Sequence, residues 1–385
     1  MQKRIKVVSV GIILIILFIS VIILNNNTNN KHTFKKDGIL YALSLDGKSI
    51  TSFPSKGLYK ASVSCEGADG KWLYDDWKLS IENITGDVSC DIKFETITKT
   101  YLNDYITSLA GTTQGTGQVI NENGYRYEGK NPNNYVWFNN EYWRIIGVFD
   151  SGSHGQSGKN LVKIIRADVL DGLAWDKSDT NDWTTASLNK LLNGAYYNAQ
   201  DGTSSDYCYG YNTIATANCD YTKKGIQAGY RSMIANVTWY LGGYSSTRAT
   251  AESFYGYERG TTVYSGRPTT TTGYIGLMYP SDYGYSVLSS SCARTTNLDS
   301  YNSSACAGQS WLYGKGTEWT LTPNSSTSST MFPASSYGSV GSGNLRVNWG
   351  NGVRPVLYLD ASVYKIDGEG TLDKPYIIGM WEPLA

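Results

Sequence analysis

The chain has 385 residues, including 11 Trp, 31 Tyr and 8 Phe, and only 17% of its residues are charged. This aromatic, weakly charged composition excludes a disordered chain, and the length predicts two or three domains at roughly 100–200 residues each. Lys plus Arg and Asp plus Glu number 33 each, so the chain has no basic footprint for nucleic acid, and nucleic acid is not an expected partner.

The first predicted element is an apolar helix at residues 7–24. These 18 residues carry no charge and follow three basic residues. A helix of roughly 17–25 apolar residues spans the hydrocarbon layer, and the basic flank stays in the cytoplasm. We therefore predict a single-pass cell-membrane protein that contacts the lipid bilayer through 7–24 and has its C-terminus outside the cell. The alternative is a cleaved signal peptide, whose apolar part is usually about 7–15 residues long.

A small module at 34–96 follows a polar, Asn-rich tether. Apolar and polar residues alternate in Tyr59–Cys65, Trp77–Ile81 and Val88–Phe94, and this period of two is typical of strands with one buried face. We predict a small antiparallel β-sandwich with Cys65 and Cys90 on its buried face.

Helical spacing returns at 98–110, which predicts a short linker helix. Beyond it, Asn139 and Asn140 separate two apolar runs and predict a hairpin, because Asn tolerates the positive φ of a two-residue turn. Apolar residues keep helical register from Lys224 to Leu241, so we predict the longest helix of this region there. The remainder mixes strands with loops rich in Gly, Ser, Thr, Tyr and Asn.

These elements define the predicted organisation. The fold class is α+β, with one transmembrane helix, one small β module and one large loop-rich domain. The segments in chain order are a cytoplasmic stub at 1–6, an anchor at 7–24, a tether at 25–33, a β-sandwich at 34–96, a linker helix at 97–111 and an α+β domain at 112–385.

The six cysteines fall into three local pairs: Cys65 with Cys90, Cys208 with Cys219, and Cys292 with Cys306. Six cysteines allow 15 connectivities, of which pairing between near neighbours is the simplest. No CxxC motif supports a zinc or redox site. Because disulfides persist outside the cytoplasm, we predict these three disulfides in an exported protein.

Metal and catalytic motifs are sparse. The stretch Asp176–Asp182 places oxygen-bearing side chains at alternate positions. A calcium-binding loop would need Gly at position 181 and Glu at position 187, but the sequence has Asn181 and Ser187 there. A polar turn is favoured over calcium, and no metal ligands or cofactor are assigned. Only two histidines are present; the first lies in the tether, and we expect His154 to be exposed in a loop. Arg354 is interpreted as a buried structural arginine paired with a carboxylate, with ligand recognition as the alternative.

Aromatic side chains in Gly- and Ser-containing segments are the candidate binding residues. Tyr gives a large contact area with little side-chain entropy to lose, which is typical of recognition loops. We expect exposed rings in the C-terminal loops to bind a ligand, with an arginine as the anion partner. The candidate residues are Tyr279, Tyr283, Tyr285, Arg294, Trp311 and Trp349.

Five segments resemble an uncharacterised bacterial cell-surface domain related to the C-type-lectin-like and formylglycine-generating-enzyme-like superfamily. They are Trp143–Gly147, Trp183–Asn189, Gly276–Ser281, Trp319–Pro323 and Gly352–Leu357. The resemblance implies a C-type-lectin-like α+β fold with few helices, and the 34–96 region also resembles small β modules found ahead of such domains. The reactive cysteine pair of formylglycine-generating enzymes and the sugar-binding triplets of C-type lectins are absent from this sequence, so neither activity carries over.

Two classes of function remain. In the first, the chain is a membrane-anchored extracellular binding or adhesion protein that recognises a glycan, peptide or protein through aromatic loops. In the second, it is an extracellular enzyme of formylglycine-generating-like or hydrolytic type. The two histidines and the absence of nucleophile motifs favour binding over catalysis.

Overall fold

The computed structural model describes residues 33–36, 38–57, 59–74, 76–211, 214–215, 218–246, 248–341 and 345–380. The protein is mostly β, with 37% strand and 14% helix, so the predicted α+β class is wrong. The predicted helix at 7–24 lies outside the described residues. Across the ranges given above, no helix is both long enough and apolar enough to cross a membrane. The fold class is corrected accordingly to a mostly β protein without a transmembrane helix in its described part.

The chain divides into two compact units, Met1–Ile97 and Thr98–Ala385. The strands of the first unit are β1 (Thr33–Lys36), β2 (Ile39–Leu45), β3 (Lys48–Ile50), β4 (Tyr59–Glu66), β5 (Asp69–Leu73), β6 (Lys78–Glu82) and β7 (Ser89–Thr96). Five of them form one sheet in the order β1-β2-β7-β4, with β3 beside β2, and β5 pairs with β6.

The core of the first unit confirms the predicted alternation. Ile92 and Phe94 of β7 are fully buried, and the ring centroids of Trp72 and Phe94 are 5.0 Å apart. Cys65 and Cys90 lie opposite each other and form a disulfide. The expectation of a purely antiparallel module is wrong, because β2 and β7 pair in parallel. Alternation specifies which face of a strand is buried, but it does not specify the direction of the neighbouring strand.

The second unit is built around an eleven-stranded sheet. The strands of this unit are β8 (Thr100–Tyr101), β9 (Thr113–Gln114), β10 (Gly117–Asn121), β11 (Tyr125–Gly129), β12 (Tyr135–Phe138), β13 (Glu141–Phe149), β14 (Leu161–Arg166), β15 (Gly172–Ala174), β16 (Tyr209–Tyr211), β17 (Ile214–Ala215), β18 (Val237–Tyr240), β19 (Thr270–Gly273), β20 (Ile275–Gly276), β21 (Thr330–Met331), β22 (Leu345–Arg346), β23 (Gly350–Gly352), β24 (Val356–Leu359), β25 (Val363–Asp367) and β26 (Tyr376–Met380). The large sheet runs in the order β20-β24-β14-β13-β12-β26-β25-β8, and β11, β10 and β9 extend it from β13.

Short helices connect these strands. They are α1 (Leu102–Ser108), α2 (Ser151–His154), α3 (Ser187–Leu191), α4 (Ala251–Glu258) and α5 (Pro280–Tyr285); a π-helical segment spans Leu192–Tyr196, and 3₁₀ segments span Ala228–Met233, Leu298–Ser300 and Ala307–Gln309. The first of them, α1, confirms the predicted linker helix, since its apolar Leu102 and Ile106 are buried.

The predicted hairpin is confirmed. Phe138 of β12 pairs with Glu141 of β13, and Asn139 and Asn140 between them have φ of 58° and 59°. Two consecutive positive φ values are the requirement of this turn, and Asn meets it at low steric cost. The turn fixes the register of two central strands of the large sheet.

The predicted helix from Lys224 to Leu241 is wrong. Only Ala228–Met233 is helical, as a 3₁₀ segment, and β18 follows at Val237–Tyr240. In β18 the buried residues alternate with half-buried ones, and all four are β-branched or aromatic. Such residues fit a pleated surface, and pairing with β19 outweighs the apparent helical spacing.

Candidate ligand-binding surface

Four of the six predicted binding residues are buried. Tyr279, Tyr283, Tyr285 and Trp311 are between 1% and 5% exposed, so the expectation that their rings face solvent is wrong. Tyr279 precedes α5, and the other two tyrosines lie within it. Sequence reasoning missed this helix because it is short and only its first-turn Pro280 signals it.

Their hydroxyl and indole groups explain why they can be buried. The hydroxyl of Tyr279 donates to the Tyr240 carbonyl at 3.0 Å, and the hydroxyl of Tyr283 donates to the Gly338 carbonyl at 2.7 Å. Trp311 donates its Nε1–H to the Tyr127 carbonyl at 2.9 Å. A buried polar group is tolerated when it is hydrogen-bonded. These rings are therefore core residues with satisfied polar tips.

Arg294, predicted as the anion partner, already has two carboxylate partners within the protein. Its Nε lies 2.7 Å from Glu122 Oε2, and its NH2 group pairs with Glu128. It also donates to the Val287 carbonyl at 2.9 Å. Arg294 thus fixes the loop after α5 against β10 and β11, and an incoming anion would have to displace two carboxylates.

The sixth residue, Trp349, is exposed and has an exposed aromatic neighbour. Trp349 is 43% exposed and Tyr211 is 48% exposed; their ring centroids are 6.4 Å apart and the ring planes are inclined by 38°. Ile214, which pairs with Tyr211 between β16 and β17, is also exposed. We call Tyr209, Tyr211, Ile214 and Trp349 the platform.

Two features of the sequence hold the platform in place. Cys208, directly before β16, forms a disulfide with Cys219, and both residues are fully buried. On the other side, a Cβ added at Gly350 would lie 2.2 Å from the carbonyl oxygen of Gly210. Only glycine at position 350 lets β16 approach β23 so closely. The disulfide and this contact together fix Tyr211 beside Trp349.

Charged groups accompany the platform. Lys177 donates from its Nζ to the Tyr209 hydroxyl at 3.3 Å, and this Nζ lies 4.8 Å from the centroid of the same ring. Arg346, whose carbonyl accepts a hydrogen bond from the Trp349 N–H, is paired with Asp179. Apolar rings with charged neighbours can supply contact area and orienting hydrogen bonds to one ligand.

An open cleft adjoins the same disulfide. It has a volume of about 530 Å³ and is lined by Leu170, Asp171, Asn218, Asp220, Thr222, Lys223 and Lys224. Hydrogen bonds from the hydroxyl and N–H of Thr222, aided by Lys223 and Lys224, lower the pKa of Asp220. The cleft therefore presents carboxylates, ammonium groups and an amide, which can donate and accept hydrogen bonds. Tyr209 and Asn218 each adjoin one cysteine of the disulfide, which links platform and cleft along the chain.

The acidic stretch considered for calcium forms a turn. Asp176 Oδ2 accepts hydrogen bonds from the N–H groups of Ser178 and Thr180 at 3.0 and 3.1 Å, and Oδ1 accepts one from the Ser187 N–H at 3.0 Å. Among the residues that the structure describes, no group of three or more His, Cys, Asp and Glu side chains could hold a metal ion. The oxygens of Asp176 serve as caps for backbone donors.

His154 and Arg354 are both buried. For His154 the expectation of exposure is wrong: the Phe149 carbonyl lies 3.1 Å from Nε2, and the Gln156 N–H donates to Nδ1. Burial lowers the pKa of His154. Arg354 pairs with Glu318 through two contacts of 2.5 and 2.7 Å, which confirms it as a buried structural arginine.

Comparisons of the chain with models of known protein families, with curated proteins and with solved structures return no match. The resemblance to the C-type-lectin-like superfamily therefore stays a prediction. The candidate surface is defined by the geometry of this chain alone.

Sequence reasoning missed Tyr209, Tyr211 and Ile214. The available signal was a run of tyrosines beside the predicted Cys208–Cys219 pair: Tyr207 directly precedes Cys208, and Tyr209 and Tyr211 lie inside the loop that the pair closes. A disulfide can hold a short segment at the surface without a hydrophobic core beneath it. Tyrosines next to such a disulfide were thus better candidates than the tyrosines that precede or lie within a proline-initiated helix.

Proposed function

We propose that the protein is an exported binding protein that recognises a glycan, peptide or protein ligand through the platform and the adjoining cleft. The observation that carries this proposal is the contact between two exposed rings, Tyr211 and Trp349. Single exposed aromatic rings are common on protein surfaces, whereas exposed rings that lie together are typical of recognition sites. A disulfide and a glycine hold these two at the surface.

The cysteines support the export part of the proposal. All six form disulfides, and the predicted pairing is confirmed. Disulfides form and persist in oxidising compartments and are rare in the cytoplasm. We propose on this basis that the folded part of the chain works outside the cytoplasm.

Array binding of the full chain tests recognition. The chain is applied to glycan and peptide arrays, and each hit is remeasured with the double variant Tyr211→Ala/Trp349→Ala. Truncation of a central aromatic anchor typically costs about 2 kcal/mol or more, which is roughly a 30-fold loss of affinity. We expect at least that loss for the double variant.

The control is Tyr337→Ala. Tyr337 is 79% exposed and lies outside the platform, so its removal tests for a general effect of losing a surface tyrosine. Unchanged binding is expected. A ligand that binds the platform variant as tightly as the wild type would contradict the proposal.

A further inference from the structure

A cluster of five charged side chains lies in the second unit; four of them are buried, and the fifth, Arg259, is 13% exposed. We call Arg126, Lys163, Glu258, Arg259 and Asp282 the buried charge cluster. Lys163 extends from β14 and Asp282 from α5, and Lys163 Nζ lies 2.5 Å from Asp282 Oδ2. The side chain of Lys163 is 0% exposed and that of Asp282 is 1% exposed. The amine and the carboxyl group are thus held in contact without access to water.

The other members of the cluster form ion pairs next to Lys163 and Asp282. Arg126 NH1 lies 3.0 Å from Asp282 Oδ1, while Arg259 NH1 lies 3.2 Å from Glu258 Oε2. Three cationic groups therefore share the cluster with two carboxyl groups. Burial lowers the pKa of Lys163 to about 8; Asp282 opposes this lowering, and Arg259 and Arg126 add to it. Burial, with a smaller effect of the neighbouring cations, favours the neutral amine at Lys163, which is the nucleophilic form.

Aromatic rings enclose the amine. The Lys163 Nζ lies 4.4 Å from the ring centroid of Tyr279, 5.5 Å from that of Tyr358 and 5.7 Å from that of Phe149. Such walls exclude water from the reacting groups. A condensation that releases water is favoured where water does not return.

We propose that Lys163 and Asp282 condense to an intramolecular amide that joins Nζ to Cγ. A proton first passes from Nζ to Oδ2 along the 2.5 Å contact. The resulting amine and carboxylic acid are the less populated form of the pair, because Lys163 and Arg126 lower the pKa of Asp282 despite its burial. The amine nitrogen attacks Cγ, and the electron pair of the C–O double bond moves to Oδ1. A second proton then passes from nitrogen to Oδ2, the C–Oδ2 bond breaks, and one water leaves. Oδ1 becomes the amide carbonyl, and no oxidant or co-reactant is required.

Three features of the cluster favour this step. The two groups are already in contact, and well-oriented intramolecular reactions reach effective molarities of about 10⁵–10⁸ M. Arg126 donates to Oδ1, where negative charge develops during the attack. The product replaces two buried charges with one neutral amide, which removes the cost of keeping an ion pair away from water.

The test is the intact mass of the full chain after denaturation and reduction of the disulfides. We expect a mass lower than that of the sequence by one water, and fragmentation should recover one branched peptide containing Lys163 and Asp282. The chain between the two residues spans 119 positions, so the closed loop should also speed migration in a denaturing, reducing gel.

Two variants sharpen the result. Lys163→Arg keeps the positive charge but removes the amine and should show the full mass, whereas the control Lys177→Arg should still lack one water. The wild-type mass decides the question even if Lys163→Arg does not fold. A wild-type chain of full mass, or a loss of water that fragmentation places elsewhere, would overturn the proposal and leave an ion pair.

Discussion

Two tyrosine-rich segments of the second unit have similar compositions, but one is buried and the other is partly exposed. Tyr279–Tyr285 contains three tyrosines with Gly and Ser and is buried at α5, whereas Tyr207–Tyr211 contains three tyrosines with Gly and Cys and lies partly exposed at the platform. The first segment finds buried acceptors for its hydroxyl groups, such as the carbonyls of Tyr240 and Gly338. The second is held by a disulfide. The sequence analysis selected only the first segment as a candidate binding site, although hydrogen-bond partners distant in the sequence allow that segment to be buried.

The largest expected loss of stability is for the replacement of a buried aromatic ring. Trp311→Ala removes an indole that donates to the Tyr127 carbonyl and packs under the guanidinium of Arg144 at 4.7 Å. A buried Trp→Ala substitution typically costs about 3–5 kcal/mol. We expect chemical denaturation to show a loss of that size in the free energy of unfolding. A loss below about 1 kcal/mol would show that Trp311 does not act as a core residue.

The platform should depend on its disulfide. The double variant Cys208→Ser/Cys219→Ser removes a cross-link between residues 11 positions apart, and chain-entropy arguments give a cost of about 3 kcal/mol for a loop of this size. We expect a corresponding fall in unfolding free energy and loss of ligand binding at the platform. Retained binding would indicate that contacts such as that between Gly350 and Gly210 suffice to hold the platform.

The buried charge cluster should make stability depend on pH. Burial raises the pKa of Glu258 from 4.5 to about 7, so between these values the native state holds more protons than the unfolded state. The stability contributed by this proton is present below about pH 4.5 and is lost as the pH rises through 7; it amounts to at most roughly 3 kcal/mol. We expect Glu258→Gln to gain stability relative to wild type on going from about pH 4 to about pH 8.

The measurement is the difference in unfolding free energy between wild type and variant at each pH. Glu252→Gln is the control, because Glu252 is an exposed residue of the same helix. Parallel stability curves for wild type and Glu258→Gln would contradict the proposed ionisation of Glu258.

The smallest change in stability is expected for the replacement of the exposed ring of Trp349. Trp349→Ala should change the unfolding free energy by no more than about 0.5 kcal/mol, as is usual for surface positions. Together with Trp311→Ala, it tests the contrast between buried and exposed aromatic residues directly. A loss comparable with that of Trp311→Ala would mean that Trp349 belongs to the core and not to a binding surface.

The parts of the fold that could be predicted from sequence are those determined by neighbours along the chain. The hairpin at Asn139 and Asn140, the linker helix and the three cysteine pairs depend on local spacing or on turn chemistry, and the structure confirms them. The segment from Lys224 to Leu241 depends instead on β19, a strand some 30 residues later, and its apolar spacing was compatible with either structure.

The candidate site likewise depends partly on local sequence and partly on residues that are distant along the chain. Trp349 was identified because it lies in a polar loop, but its partner Tyr211 comes from a segment more than 100 residues earlier in the sequence. The local feature that distinguishes Tyr211 from the buried Tyr283 is its nearness to Cys208, and this feature does not identify Trp349 as its neighbour. Exposure is decided by the whole packed unit, and a single sequence does not show which rings find a place in the core.

The parallel pairing of β12 with β26 has a consequence for how the chain is made. Val136 lies opposite Tyr376 and Trp137 lies opposite Ile377, so one central strand of the large sheet obtains its neighbour from nearly the last described segment. Contacts of such long sequence separation form late and slowly. Until Tyr376 and Ile377 are in place, the folding chain carries an unpaired strand edge at β12, and such an edge can pair with another chain.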